Sequence, residues 1–173
     1  MIGTESKLWK RMTDVNAEGG WTRLRSLDRI ESPITPGASD IVYSGRVNSG
    51  WIELKTASWP RAGRAFTLHS PFTAAQSTWL LSHHNPAHNQ RSYLLLGIIG
   101  PRTWREFILF DARTAVALLQ GRAGVPHEKL LKRIGVRQFS SMSDLIEALD
   151  EENGEEDEDR SDLTQLRSIT HDS

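Results

Sequence analysis

Hydrophobic and polar residues follow two alternating periods along the chain, and the switches between them predict its elements. Leu8, Trp9 and Met12 recur at helical spacing, so residues 4–12 are expected to form a short helix with Thr4 as N-cap. The run Asn16-Ala-Glu-Gly-Gly20 should end it, and residues 21–30 then read as a strand carrying Leu24, Leu27 and Ile30. After a Pro- and Gly-containing loop, residues 40–43 and 51–56 are two strands joined by turn-forming residues, which predicts a hairpin. Residues 59–68 form a basic loop, and Ser70-Pro71 is expected to open a helix ending near Ser82. Residues 93–99 and 103–110 are two further strands around Gly100-Pro101-Arg102. Asp111 caps a helix through Leu119, residues 126–134 suggest another, and Ser141 with Asp144 fits a capping box before Leu145. The order implies an α/β fold, a mixed central sheet with helices on its flanks, and no glycine fingerprint for phosphate binding follows any strand.

Composition narrows the class. A chain of 173 residues, 38% of them hydrophobic, suits one domain. It has no run of apolar residues long enough to span a bilayer, and its first residues lack the apolar stretch of a secretory signal. No membrane association is therefore expected, and a cytoplasmic setting is. The absence of cysteine removes disulfide scaffolds, thiol nucleophiles and cysteine-based zinc sites.

The net charge of −1 is a cancellation. Residues 144–173 hold twelve acids and two bases, whereas residues 1–143 hold ten acids and nineteen bases. We therefore expect a folded basic domain at 1–143, followed at 144–173 by a short helix and an acidic, disordered tail. A basic body suits a polyanionic partner, because Lys and Arg contacts to phosphates release counterions. The plainer alternative is a solubilising surface.

Candidate chemistry concentrates in Gly37-Ala-Ser-Asp40 and Trp51-Ile-Glu53-Leu-Lys55. Side chains two apart on a strand share a face, so Glu53 and Lys55 point together while Ile52 and Leu54 point away. A hairpin brings Asp40 beside Glu53, and a hard cation such as Mg²⁺ (with Mn²⁺ a substitute) relieves the repulsion between two such carboxylates. Lys55 is then placed to orient a water and to stabilise charge developing on a phosphate. The competing explanation is an ordinary salt bridge of Lys55 with Asp40 or Glu53.

The pattern Gly37-x-x-Asp40, a hairpin, then Ile52-Glu53-Leu-Lys55 resembles the PD-(D/E)XK nuclease superfamily. Its nearest flavour is the VRR-NUC and Holliday-junction-resolvase-like group, which includes small phage-encoded nucleases of DNA recombination and repair. The likeness covers about residues 4–110, with Ser39 standing where the namesake Pro would be. It implies a restriction-endonuclease-like core and Mg²⁺-dependent DNA endonuclease activity on branched or otherwise structured DNA, leaving a 5′-phosphate. It implies DNA as partner and, as in junction resolvases, a possible homodimer. Asp40, Glu53, Lys55 and Gln76 are the implied catalytic residues. Asp40, Glu53, the Leu54 carbonyl and, through water, Glu5 are the implied metal ligands. Glu5 equally fits a helix's first turn, and Gln76 equally fits a capping box with Thr73.

For the nucleic acid itself the candidates are Arg61, Arg64 and His69 after the catalytic strand, with Arg23, Arg25 and Arg29 as a second group. Trp59 is the indole singled out for stacking on an unpaired base, most of the six being expected in the core. His83, His84 and His88 lie in a polar loop without accompanying carboxylates and do not make a zinc site. The rival readings are an exonuclease or restriction-like enzyme, a non-catalytic nucleic-acid-binding module of the same fold, and an adaptor acting through the acidic tail.

Overall fold

A computed structural model of the chain describes residues 4–20, 24–30, 37–59, 65, 67–121 and 133–151. Among these residues the principal elements are α1 (Thr4–Glu18), β1 (Ser26–Arg29), β2 (Ile41–Ser44), β3 (Ser49–Ser58), α2 (Ala74–Ser82), β4 (Tyr93–Ile99), β5 (Trp104–Asp111), α3 (Ala112–Leu119), β6 (Val136–Phe139) and α4 (Met142–Glu151). The six strands form one mixed sheet in the order β1-β2-β3-β4-β5-β6. Only β3 and β4 pair in parallel, through the crossover that carries α2. The fold is thus α/β, with helices on both faces of the sheet.

Strand parity sorts the core into two layers. Ile52, Leu54, Leu95 and Leu109 pack on one face with Leu8, Met12 and Val15 of α1 and Leu145, Ile146 and Leu149 of α4. Ala57, Leu94, Leu96, Ile108 and Phe110 pack on the other with Leu80 of α2 and Ala115 and Leu119 of α3. Cover on both sides explains why β4 reads as an unbroken apolar run.

Several boundaries differ from the sequence expectation, each for a local reason. Helix α1 runs on to Glu18 because Val15 extends the Leu8–Met12 stripe. Asn16, read as a helix breaker, stays helical and uses its side-chain oxygen to accept the Leu24 N–H at 3.2 Å. The strand expected at 21–30 shortens to Ser26–Arg29. Helix α2 begins three residues after Ser70-Pro71, because Thr73 and Gln76 cap it reciprocally. Strand β6 was not foreseen; it is short, lies at the sheet edge and mixes charged with apolar residues. The helix expected at 126–134 lies almost wholly outside the described residues, as does the tail after 151. No helix among the described residues is long and apolar enough to cross a membrane.

Helix α4 falls across the expected boundary at 143, and its side chains belong to the α1 layer. Its far end is tied to the β2–β3 turn. Asp150, fully buried, accepts the Arg46 backbone N–H at 2.8 Å and its Nε–H at 2.5 Å. Asp150→Ala removes the acceptor of a partly buried N–H, and the expected loss is about 2 kcal/mol. Urea unfolding checks this; an unchanged midpoint would make α4 a detachable appendage.

Candidate functional site

The site forms where the sheet leaves one strand edge open. Pairing of β2 with β3 stops at Ile41 opposite Ile52, while β3 continues to Ser58. The other edge of β3 is filled by β4 along that whole length. Further out, Leu68 bridges Ala57 and the His69 N–H donates to the Thr56 carbonyl at 2.8 Å. Between these two pairings Leu54 would lack an inter-strand partner. Asp40 supplies it: its Oδ2 accepts the Leu54 N–H at 2.8 Å. A side chain has replaced the backbone rung that β2 would otherwise provide, which fixes Asp40 beside Glu53.

Glu53 and Lys55 lie on the α2 side of β3 and are both buried. Lys55 Nζ donates to Glu53 Oε1 at 2.8 Å, and the Gln76 side-chain amide donates to the same oxygen. Glu53 Oε2 is buried without a hydrogen-bond partner. Both donors therefore converge on one oxygen and leave the other bare. From the start of α1, Glu5 approaches Lys55 Nζ at 3.8 Å and accepts a hydrogen bond from the Ser70 hydroxyl.

Gln76 resolves a choice that its sequence leaves open. Its side-chain oxygen accepts the Thr73 N–H at 3.0 Å while Thr73 Oγ1 accepts the Gln76 N–H at 3.2 Å, a complete capping box. Its amide nitrogen is then the end that faces the Glu53 carboxylate. One carboxamide has a donor and an acceptor end, so capping and contact with the site coexist.

The electrostatics match this crowding. Burial, then the nearby Asp40 carboxylate, pushes the Glu53 carboxyl up to about 8, against the opposing pull of Lys55. Burial also raises Asp40 above the ordinary carboxylate range, opposed by the Leu54 N–H and Lys55. Two carboxyls that resist ionisation together, one with a bare oxygen, are a donor set short of positive charge. Among the described residues no three His, Cys, Asp or Glu side chains enclose an ion by themselves. Asp40 and Glu53 nevertheless fit Mg²⁺, which binds through one or two carboxylates and completes its shell with water and phosphate oxygens.

The remaining candidates fall at different places. Leu54 meets the site through its amide. His69 is held by Thr56 Oγ1 at 3.1 Å and Ser58 Oγ at 2.9 Å, on the segment that closes the open edge and beside Ser70. Trp59 is half-buried under the Arg105 guanidinium, 3.9 Å from its ring centroid. Arg25 is exposed beside Ser44, away from this cluster, whereas Arg29, also exposed, pairs with Ile41 next to Asp40, and its charge opposes the rise of the Asp40 carboxyl. Arg23, Arg61 and Arg64 lie outside the described residues. Ser70, which holds Glu5, was missed as a site residue; its place just before a helix start, among polar neighbours, was the only signal. Ser39, in the namesake proline's position, is buried with its hydroxyl unpartnered among the described residues.

Compared with known proteins, the chain matches no family, no curated protein and no solved structure.

Proposed function

We propose that this chain is a metal-dependent deoxyribonuclease with a restriction-endonuclease-like core, acting as an endonuclease on branched or otherwise structured DNA. One observation carries the reading: Glu53 is fully buried with Oε2 unpartnered, while Lys55 and Gln76 both engage Oε1. A carboxylate kept only for stability would have its second oxygen paired, since an orphaned buried acceptor costs about 1–3 kcal/mol. The bare oxygen beside Asp40 is accounted for if a cation completes the site.

Asp40 and Glu53 would hold Mg²⁺, with the Leu54 carbonyl and Glu5 through water as the further ligands implied by the sequence resemblance. When bound, the ion supplies Lewis-acid polarisation of the scissile phosphate and lowers the pKa of the attacking water. The chain's own groups do the rest. Lys55, anchored by Glu53 and facing Glu5, orients the attacking water and offsets the negative charge that builds on the phosphate oxygens. Gln76 keeps Glu53 in one rotamer, and Ser70 does the same for Glu5. Asp40 is aimed by the Leu54 amide. Water adds across the P–O bond, the 3′-oxygen leaves, and a 5′-phosphate remains.

The test is incubation of the wild type and Glu53→Ala with supercoiled, linear, single-stranded and four-way-junction DNA, in Mg²⁺ or EDTA. Cleavage is expected for the wild type in Mg²⁺ alone, and strongest on structured substrates. Absence of metal-dependent cleavage on every substrate overturns the enzyme reading and leaves a binding module. Cleavage that persists in Glu53→Ala overturns the site.

A further inference from the structure

Next to this cluster lies an aromatic group that the hydrolytic site does not use. Trp51 sits on the same side of β3 as Glu53, two residues and about 7 Å along the strand. Trp79 lies on α2, three residues after Gln76 and hence one helical turn along the same side. The Trp51 and Trp79 rings meet edge-on with centroids 5.4 Å apart. His83 stacks on Trp79 at 4.2 Å and meets the Trp51 ring edge-on at 5.6 Å. All three rings are half-buried, so each keeps surface facing solvent.

Core packing does not account for the group. Neither indole belongs to the two apolar layers of the sheet. The Trp79 Nε1–H is buried with no hydrogen-bond partner among the described residues. Phenylalanine would fill the same space without stranding a donor. A ligand with a flat face suits the ring surface left open to solvent, and a nucleobase has one.

We propose that Trp51, Trp79 and His83 form a stacking subsite for one unpaired base next to the scissile phosphate placed at Lys55. This rests on the nuclease reading and deepens it by specifying the substrate class. A base inside a duplex presents its face only to its stacked neighbours, so the ring group selects DNA that is single-stranded or unpaired beside the scissile bond. The basic body retains the strand through its phosphates, and the rings add preference without reading sequence. Trp59, the indole singled out in the sequence, carries Arg105 over one face and is not part of this group.

Fluorescence anisotropy of the full chain in EDTA, with end-labelled oligothymidylate and a blunt duplex of equal length, tests this. Trp79→Leu is expected to lose about tenfold or more in affinity for the single strand, the effect of one stacked base, and to bind the duplex unchanged. Trp79→Phe keeps a packing ring and should lose about threefold on the single strand only; it decides the matter if circular dichroism shows the Leu variant unfolded. Equal losses on both probes, or none on either, overturn the subsite. Mg²⁺-dependent cleavage by the wild type is scored separately. Its absence ends the nuclease reading, while the anisotropy comparison still decides whether the rings hold a base.

Discussion

Glu53→Gln is expected to reduce Mg²⁺-dependent cleavage roughly a thousandfold, about 4 kcal/mol of transition-state stabilisation, and to make the metal-free protein more stable than the wild type at alkaline pH. The Glu53 carboxyl titrates near 8 when folded, against 4.5 for its ordinary value, because burial and Asp40 disfavour the anion. The folded state therefore binds the proton more tightly than the unfolded chain does. Stability from this group is complete below about pH 4.5 and is lost progressively as pH rises through 8. Asp40, raised for the same first cause, adds a decline of the same sign. Gln carries no such proton, so its curve of stability against pH should be flatter than the wild type's. The two should run closest at pH 5, draw apart by about 4 kcal/mol as pH rises from there to about 8, and keep that separation above it. Thermal melts in EDTA from pH 5 to 9 read this directly. Adding Mg²⁺ at pH 8 should then restore the wild type, by about 2.7 kcal/mol at a hundredfold excess over Kd, and leave the Gln variant unmoved. Parallel pH curves would show that Glu53 is not held neutral. Equal stabilisation of both proteins by Mg²⁺ would show that it is not a ligand.

The layered sheet was legible because its signals are local. Ile52 and Leu54 alternate with Glu53 and Lys55, Asp111 announces the start of α3, and the apolar run 93–99 can only be a strand covered on both faces. Pairing the carboxylates across the β2–β3 hairpin was likewise readable from spacing. What could not be read was how Asp40 is aimed. That depends on β2 ending one rung early, a property of register rather than of any residue type. The same holds for Gln76. Its spacing from Thr73 proposes a cap and its position after Glu53 proposes a site contact, and only the packing of α2 against β3 shows that both are met. Strand β6 escaped because four residues with a central Arg carry no usable period, and Asn16 misled because its turn preference was outweighed by the burial of Val15. The aromatic group was within reach: Trp51 precedes Glu53 by two and Trp79 follows Gln76 by three, spacings that place both indoles beside the site. Weighing tryptophans by loop membership singled out Trp59 and passed over this pair.

Gly37→Ala should be costly, and the reason joins fold to function. Gly37 has φ +84°, a conformation that an L side chain adopts only with strain, and a Cβ there would lie 2.5 Å from the backbone carbonyl carbon of Ala75 in the first turn of α2. Neither partner is a flexible side chain that can swing away. Either the segment leading into Asp40 lifts off α2, or α2 lifts off the sheet. The first weakens the hold of Asp40 on the Leu54 amide, and the second draws Gln76 from Glu53. The expected loss is about 3 kcal/mol of stability, from the left-handed backbone and the overpacked contact together. A further fall of about a hundredfold in cleavage is expected at a temperature where the variant is still folded. Gly20→Ala is the matching control. It has φ +61° but open space around the missing Cβ, so it should lose only about 1 kcal/mol and keep full activity. Chemical denaturation of both variants, with cleavage rates normalised to folded protein, separates backbone strain from the contact with α2. If Gly37→Ala behaves like Gly20→Ala, the glycine three residues before Asp40 serves only to turn the chain, and the close seating of that segment on α2 does not set the carboxylate's position.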